Sequence, residues 1–373
     1  MADFDLIIVG ASFAGLVCAR TAALRGLRVA VIEKKPDPGA RVHTTGILVK
    51  EAAEEWDVPH ALTRAVKGVR LYSPAHRWVD LFAPGYYFLA TDTAGLLRWL
   101  ADEAVRAGAS LYCGTRFEGA GYESGAIRLF GLGWRCRYLI GADGAKSRVA
   151  LSFGLGRNRK FLVGAEAEMA GLAGLDPRFL HCFIDSKRAP GYLGWAVPGV
   201  HGAQIGLAAN RKSTKLDPKG FEHSLEGLFD FSRAEGIERR SGLIPVGGVV
   251  SPVSGHRVAL IGDAAGLVSP MTGGGIRLAF HFGRRAGQLV GDYLLAGGVD
   301  PGTALARDYP RFHMKSMMRR ALDLAPPNAL IDRALFSAPA LAAASRIYFH
   351  KRGEAGAPDV ISSARGDVLS DKS

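Results

Sequence analysis

The run Phe4-Asp-Leu-Ile-Ile-Val9, followed directly by Gly10-Ala-Ser-Phe-Ala-Gly15, decides the fold of this chain. Residues 4–9 are apolar apart from Asp5 and end in β-branched side chains, which predicts a buried parallel strand. Residues 16–25 have the apolar spacing of a helix, and residues 28–33 predict a second strand. A strand, a glycine-rich turn, a helix and another strand within about thirty residues indicate a dinucleotide-binding unit.

Individual residues of this unit suit a dinucleotide for physical reasons. Gly10 permits a tight turn, and Gly15 lets the helix pack close to the strand. Ser12 and Ala14 lie in the turn just before the helix, whose free N–H groups would face a pyrophosphate. Ser12 stands where a glycine is usual, but its side chain is small. Glu33 ends the second strand and is placed to accept bonds from an adenosine ribose, which disfavours a 2′-phosphate there.

Two later segments repeat the pattern of a strand that runs into a glycine-rich turn. Arg137–Ile140 leads into Gly141-Ala-Asp143-Gly144, and Arg257–Ile261 leads into Gly262-Asp263-Ala-Ala-Gly266. Pro270 and Thr272-Gly273-Gly274-Gly275-Ile276 then open a helix that we expect to run to about Leu294. An aspartate at a strand end can accept a ribityl hydroxyl, and the start of the helix can face a flavin ring with backbone N–H groups.

These segments resemble the DG and GD motifs of the FAD-dependent hydroxylase-type superfamily. Within it, the chain is most similar to the geranylgeranyl reductase family, through Gly262–Ile276 and through Ala189–Pro198, which resembles that family's Tyr-x-Trp-x-Phe-Pro motif. The resemblance implies FAD as the cofactor and reduction of carbon–carbon double bonds in an isoprenoid or related apolar substrate. No second glycine fingerprint is present, so NAD(P)H or another electron donor would dock transiently.

Four residues outside the glycine motifs are further candidates, and the resemblance implies a role for the first two. Tyr192 and Trp195 would line the substrate pocket, with ordinary packing in a β-sheet core as the alternative. Leu193 occupies the tyrosine position of the motif, and Tyr192 lies one residue earlier. Arg41 would lie over the FAD phosphates or the isoalloxazine edge, unless it is a solvated loop residue. His43 is a candidate proton source, unless it is an ordinary surface histidine.

The predicted fold is α/β, with a Rossmann-type FAD-binding domain, an inserted β-sheet substrate domain and a helical C-terminal region. The FAD-binding domain is expected to comprise residues 1–60, 92–158 and 246–298, and the substrate domain residues 61–91 and 159–245. Residues 299–373 should be helical, and the polar residues 362–373 should be disordered.

The net charge of +12 favours anionic partners, or simply supports solubility. The segment Met314–Arg320 mixes methionines and bases at helical spacing, so it either docks on an anionic membrane or packs with its basic side outward. We expect no nucleic-acid partner. Four scattered cysteines predict neither a disulfide framework nor a metal site, and the location should be cytoplasmic, with membrane association left open.

Two other functions use the same FAD motifs. One is a flavin-dependent monooxygenase or halogenase, in which reduced flavin meets oxygen. The other is a non-catalytic flavin-binding redox module. Oxygen uptake coupled to substrate distinguishes the monooxygenase from the reductase, and a non-catalytic module predicts no turnover with any donor.

Overall fold

The computed structural model describes residues 3–210 and 216–349 and the backbone of residues 363–366. Its strands are β1 Phe4–Val9, β2 Val29–Ile32, β3 Ile47–Val49, β4 Thr63–Val66, β5 Gly68–Tyr72, β6 Trp78–Phe82, β7 Phe88–Thr91, β8 Ser110–Tyr112, β9 Ala120–Glu123, β10 Ala126–Leu129, β11 Arg135–Gly141, β12 Phe161–Ala170, β13 Phe179–Phe183, β14 Gly194–Pro198, β15 Ala203–Asn210, β16 Glu235–Pro245, β17 Ser254–Gly255, β18 Val258–Leu260 and β19 Ser363–Gly366. Its α-helices are α1 Phe13–Ala23, α2 Lys50–Glu55, α3 Thr93–Arg106, α4 Arg148–Ser152, α5 Pro218–Ser224, α6 Ile276–Ala296, α7 Pro301–Asp308, α8 His313–Leu322, α9 Asn328–Ala334 and α10 Ala338–Phe349.

The chain divides into two compact units. The first unit comprises Met1–Val42, Thr93–Phe161 and Ile244–Ser316, and the second comprises His43–Asp92, Leu162–Leu243 and Met317–Ser373. The C-terminal helices are therefore shared between the units, because the division falls within α8. Among the described residues, none of the helices has the length and hydropathy needed to cross a bilayer.

The first unit is built on a sheet with the strand order β17-β18-β11-β1-β2-β8. The strands from β18 to β8 pair in parallel. Strand β10 pairs antiparallel with β11, and β9 pairs antiparallel with β10. Leu6, Ile7 and Ile8 of β1 are completely buried, as expected of an apolar strand in the middle of a parallel sheet. The predicted α/β fold is confirmed.

Helices α1 and α6 of the first unit pack with their backbones in contact. A Cβ atom on Gly283 would lie 2.6 Å from the carbonyl oxygen of Ala14, and one on Gly287 would lie 2.7 Å from that of Cys18. The two glycines are four residues apart and so lie on one face of α6. This close packing holds the N-terminal half of α6 against the start of α1.

The second unit is built on a sheet with the order β16-β12-β15-β14-β13-β5-β6-β19. One apolar cluster includes Phe221 of α5 and Phe183 of β13. A different cluster, which we call the apolar cluster, includes Leu71 of β5, Phe88 of β7 and Phe349 of α10. The small sheet β3-β7-β4 contributes to the apolar cluster through residues of all three strands.

Strand β19 lies within the tail, residues 362–373, that the sequence predicts to be disordered. Ser363–Gly366 pairs antiparallel with β6, so the prediction of disorder is wrong for these four residues. The physical reason is that the outer edge of β6 offers unpaired backbone groups, which another segment can join whatever its side chains are. The other residues of the tail lie outside the described part of the chain.

Candidate functional site

The turn after β1 is shaped by two glycines that no other residue could replace. Gly10 has a φ of +107°. A Cβ atom on it would lie 2.4 Å from the carbonyl oxygen of Ala142, and one on Gly15 would lie 2.0 Å from the carbonyl oxygen of Gly10. These approaches place the start of α1 directly beside the end of β11. The first glycine motif and the Asp143-Gly144 motif therefore meet at one edge of the sheet.

The N-terminus of α1 has backbone donors without a side-chain cap. Ser12 is the N-cap residue in an extended conformation, its hydroxyl accepts no capping bond, and Ala14 lies in the first turn. Glu33 is buried, and its Oε2 accepts a hydrogen bond of 2.9 Å from the Ala11 N–H, while Oε1 accepts one of 2.9 Å from the Lys35 N–H. A carboxylate has about four acceptor sites, so Glu33 can hold this turn and still accept a hydroxyl.

Asp143 uses one carboxylate oxygen within the protein and leaves the other unused. Its Oδ2 accepts bonds from the N–H groups of Arg148 at 2.6 Å and Val149 at 3.1 Å, which caps α4. Its Oδ1 is buried without a hydrogen-bond partner among the described residues. Burial raises the pKa of this carboxyl group above its usual value. Most buried polar atoms have a hydrogen-bond partner, so this oxygen keeps an acceptor site that a ligand can use.

Asp263 lies at the end of β18, in a single 3₁₀ turn, Gly262–Ala265. No described residue donates a hydrogen bond to its partly buried carboxylate, and desolvation raises its pKa to about 6. A Cβ atom on Gly275 would lie 3.5 Å from Asp263 Oδ1. Gly275 is the N-cap residue of α6 and provides no side-chain cap, so an unpaired carboxylate lies beside the free N–H groups that begin at Ile276.

The loop between Asp263 and α6 contains the remaining candidates of this motif. Gly273 has a φ of +63°, and its N–H donates to the carbonyl oxygen of Ser269 at 2.9 Å. Gly274 and Pro270 lie on either side of it. The glycine-rich segment of this motif thus forms a compact turn that leads directly into α6.

Asn158 connects the two downstream motifs and was missed by the sequence analysis. Its Nδ2 donates to the carbonyl oxygen of Ala145 at 3.2 Å and to that of Asp263 at 2.8 Å. No sequence signal could have found it, because a single asparagine in the loop between α4 and β12 belongs to no motif. It holds the turns after β11 and β18 together.

In the second unit, Trp195 of β14 makes a specific polar contact. Its indole Nε1–H donates to Glu166 Oε2 at 2.6 Å. Opposite it on β15 lies Gly206, where a Cβ atom would be 2.6 Å from Trp195 Cζ2, so only glycine leaves room for the indole. Trp195 is half-buried and packs against the apolar cluster. The side chain is therefore held at both its polar and its apolar edge.

Glu166 is the centre of a buried polar network that the sequence analysis also missed. Besides the indole, it accepts bonds from Thr45 Oγ1 at 2.6 Å and from Arg240 Nε at 2.7 Å. Arg240 also donates to Glu168 Oε2 at 3.1 Å. The run Ala165-Glu-Ala-Glu168 in β12 carried a usable signal, since two acids two residues apart on a strand share one face.

The other three candidates, Tyr192, Arg41 and His43, lie in loops. Tyr192 precedes β14, and burial raises the pKa of its phenol. Arg41 is an exposed residue of the first unit with a left-handed φ of +46°. His43 is an exposed residue of the second unit, and its Nδ1 lies 2.8 Å from the carbonyl oxygen of Ser241, a contact that requires the proton on Nδ1. The bond from Thr45 to Glu166 connects the loop of His43, but not its ring, to Trp195.

Comparison with known proteins identifies the ligand that this geometry suits. Residues 3–281 match the family model described as an FAD binding domain. The digeranylgeranylglycerophospholipid reductase of Methanosarcina acetivorans is 31% identical over 315 residues, which cover 79% of this chain and 77% of that protein. The chain belongs to the geranylgeranyl reductase family of FAD-dependent oxidoreductases.

A second relative agrees with this assignment to the geranylgeranyl reductase family, and a solved structure allows the folds to be compared. The geranylgeranyl diphosphate reductase of Rhodobacter capsulatus is 28% identical over 310 residues, covering 79% of this chain and 76% of that protein. The crystal structure of a geranylgeranyl bacteriochlorophyll reductase-like protein from Thermoplasma acidophilum superposes with a TM-score of 0.80 at 23% identity, covering 93% and 97% of the two chains. That structure shares the fold. The family resemblance predicted from the motifs is confirmed.

The first unit of this geranylgeranyl reductase family member fits FAD. Its helices α1 and α6 begin without side-chain caps, which suits a pyrophosphate and the anionic edge of a flavin. Asp143 and Asp263, at the ends of two neighbouring strands, retain acceptor capacity that the described residues do not use. The protein is therefore an FAD-dependent oxidoreductase, as the sequence predicted.

Proposed function

We propose that this protein reduces carbon–carbon double bonds of an isoprenoid chain, or of a related apolar substrate. The observation that carries the proposal is the extent of the similarity to the reductase of Methanosarcina acetivorans. The aligned region covers 79% of this chain, a larger share than the residues of the first unit make up. Similarity restricted to FAD binding would not need the second unit. The second unit is where the apolar cluster and Trp195 lie.

We infer the following division of work among the residues. When bound, FAD would be the two-electron carrier that supplies hydride for the double bond. The cofactor-binding residues of the proposal are Gly10, Ser12, Ala14, Gly15, Glu33, Arg41, Asp143, Gly144, Gly262, Asp263, Pro270, Gly273, Gly274, Gly275 and Ile276. The adenosine ribose is assigned to Glu33, and the ribityl chain to Asp263.

Tyr192 and Trp195 are proposed to contact the substrate chain. Trp195 is suited to this task because the network around Glu166 fixes its indole, while its side chain packs against the apolar cluster. An isolated alkene is a poor hydride acceptor, so its reduction needs a site from which water is excluded. An apolar surface provides such a site. The reaction also needs a proton, and His43 is the proposed source because an imidazole is a common proton donor in enzymes.

The electron donor is proposed to be NAD(P)H or another donor that docks transiently. An apolar prenyl lipid is the proposed partner, and contact with a membrane surface would bring the protein to it. We therefore propose a cytoplasmic protein that binds peripherally to the membrane containing its lipid substrate. The surplus of positive charge supports the contact, because cytoplasmic membrane surfaces are anionic.

Anaerobic reoxidation of the reduced protein tests this function. A geranylgeranyl lipid should reoxidise the flavin, and the product should gain two hydrogens per reduced double bond by mass spectrometry. Trp195→Ala should slow this reaction and leave reoxidation by oxygen nearly unchanged, with full FAD content. No reoxidation by any prenyl lipid, together with substrate-coupled oxygen uptake on a small aromatic, would establish the monooxygenase instead. Absence of turnover with every donor and acceptor would indicate a non-catalytic module.

A further inference from the structure

The outer side of residues 317–349 in the second unit has an uncommon composition. We call it the C-terminal helical surface; it comprises the end of α8, all of α9 and α10, and their connections. Every exposed side chain in this segment is apolar, arginine or serine. The largest apolar ones, Met317, Leu324 and Leu330, are exposed to 59%, 83% and 56%. A protein surface normally has acidic side chains among its arginines and apolar residues. The absence of exposed acidic side chains from this segment requires a reason.

The acidic residues of the same segment face the protein and act as internal acceptors. Asp323 accepts bonds from Arg319 Nε at 3.1 Å and from Asn210 Nδ2 at 3.2 Å. Asp332 accepts the N–H of Ala75 at 3.1 Å. Because both carboxylates are used in this way, the inner side of the segment is anchored by polar contacts and the outer side keeps only cationic charge.

Apolar packing anchors the inner side as well. Phe336, Leu341 and Tyr348 pack against the apolar cluster, and Phe349 belongs to it. The buried Arg319 donates to the carbonyl oxygen of Gly191. The segment therefore has its own attachment to the second unit, and its exposed leucines and methionine are not needed to hold it there.

The positive charge of the outer side is available to a partner. Arg320, Arg333 and Arg346 are exposed, and none of them forms an ion pair with another described residue. Apolar side chains interleaved with unpaired arginines are the pattern of a surface that enters a lipid interface. The apolar groups reach the acyl boundary, while the long arginine side chains extend to the phosphates.

We propose that the C-terminal helical surface docks on an anionic phospholipid bilayer. Met317, Leu324 and Leu330 enter the boundary between headgroups and acyl chains, and the three arginines bind headgroup phosphates. The docking deepens the proposed function, on which its purpose rests, because a prenyl lipid substrate would then be drawn from the bilayer. The binding itself is measurable without any turnover.

Sedimentation of the FAD-loaded protein with vesicles tests the proposal. The protein should bind vesicles of equimolar phosphatidylglycerol and phosphatidylcholine, and bind pure phosphatidylcholine vesicles much more weakly. The double variant Leu324→Ser/Leu330→Ser should lower the partition coefficient at least about ten-fold through lost apolar burial. Arg320→Gln/Arg333→Gln should lower it by about ten-fold or more on the anionic vesicles alone.

Matched substitutions in the first unit serve as controls. Leu295 is exposed to 58%, close to the value for Leu330, and Arg116 is exposed without an ion pair among the described residues. Leu295→Ser/Arg116→Gln should bind vesicles like the wild type. All variants should keep the wild-type unfolding temperature and FAD content.

Three results would overturn the proposal. They are absence of binding by the wild type, wild-type binding by both double variants, and a wild-type dimer in solution that Leu324→Ser dissociates. The last result would make this surface an interface between copies of the chain. A protein that binds anionic vesicles through these residues but reduces no prenyl lipid would refute the proposed function and leave the docking surface intact.

Discussion

The indole of Trp195 and the carboxylate of Glu166 are joined by a hydrogen bond of 2.6 Å between side chains on strands β14 and β12, with β15 between them. The bond passes over Gly206, the residue of β15 that has no side chain to obstruct it. Glu166 is buried and also accepts from Arg240, so the indole meets a charge that is already compensated. Such a charge-assisted bond is stronger than one between neutral groups.

A double-mutant cycle on this pair should show coupling. Glu166→Gln should destabilise the protein by about 2–4 kcal/mol, because it leaves Arg240 buried with an incomplete partner. Trp195→Phe should cost about 1–2 kcal/mol through loss of the indole donor. The double variant should be more stable than the sum predicts by about 1 kcal/mol or more, measured by denaturant unfolding.

Trp134→Phe is the matched control for this cycle. Trp134 lies in the first unit among Phe4 and Tyr112, in ring contacts that phenylalanine preserves in kind. Its effect should add to that of Glu166→Gln without coupling. Strict additivity of Trp195→Phe with Glu166→Gln would show that the observed bond contributes nothing to stability.

The stability of the FAD-free protein should depend on the ionisation of Asp263. Its pKa in the folded state is raised from 3.8 to about 6 by desolvation, so the folded state favours the protonated form. The contribution of this group is fully present below about pH 4 and is lost as the pH rises through about 6, by about 3 kcal/mol.

Asp263→Asn isolates that contribution because it keeps the shape of the side chain and cannot ionise. The difference in unfolding free energy between wild type and variant should change between about pH 4 and pH 6 in the FAD-free protein. With FAD present, the variant should bind the cofactor more weakly and lose the stabilisation that a ligand gives. A pH-independent difference would mean that the carboxylate is solvated or paired in the folded protein.

Replacing Glu33 by alanine should weaken FAD binding by about 1–3 kcal/mol, through loss of charge-assisted bonds to the ribose and of the bond that holds the Ala11 N–H. Equilibrium dialysis of the apoprotein against FAD measures this change. Glu33→Gln should fall between alanine and wild type because it keeps one acceptor. Unchanged affinity in Glu33→Ala would remove this residue from the adenosine ribose.

Gly10→Ala should be severely destabilising or fail to bind FAD. It places a Cβ atom 2.4 Å from the carbonyl oxygen of Ala142 and forces a φ of +107° on a residue with a side chain. Gly26→Ala is the matched control, because Gly26 also has a positive φ, +84°, with nothing within 4 Å of its added Cβ. The control should cost only about 1 kcal/mol, and equal effects would show that the close approach at Gly10 is unimportant.

The sequence by itself determined the FAD-binding part of this protein. Gly10, Gly15 and Glu33 could be found because local rules apply to them: a tight turn, a helix N-terminus and the end of a neighbouring strand follow each other within one βαβ unit. The strands that carry Asp143 and Asp263 could be found for the same reason, since each apolar run ends in a glycine turn. The motif resemblance then led to the family, which the comparisons confirm.

Only the tertiary structure decided which side chains meet from distant parts of the chain. Asn158 joins Ala145 to Asp263, and Glu166 joins Thr45, Trp195 and Arg240. No local pattern encodes such contacts, because strand order and register bring these residues together, and neither can be read from one strand alone. The strand at Ser363–Gly366 is a further case: the free edge of β6, rather than the polar composition of the tail, makes those residues extended.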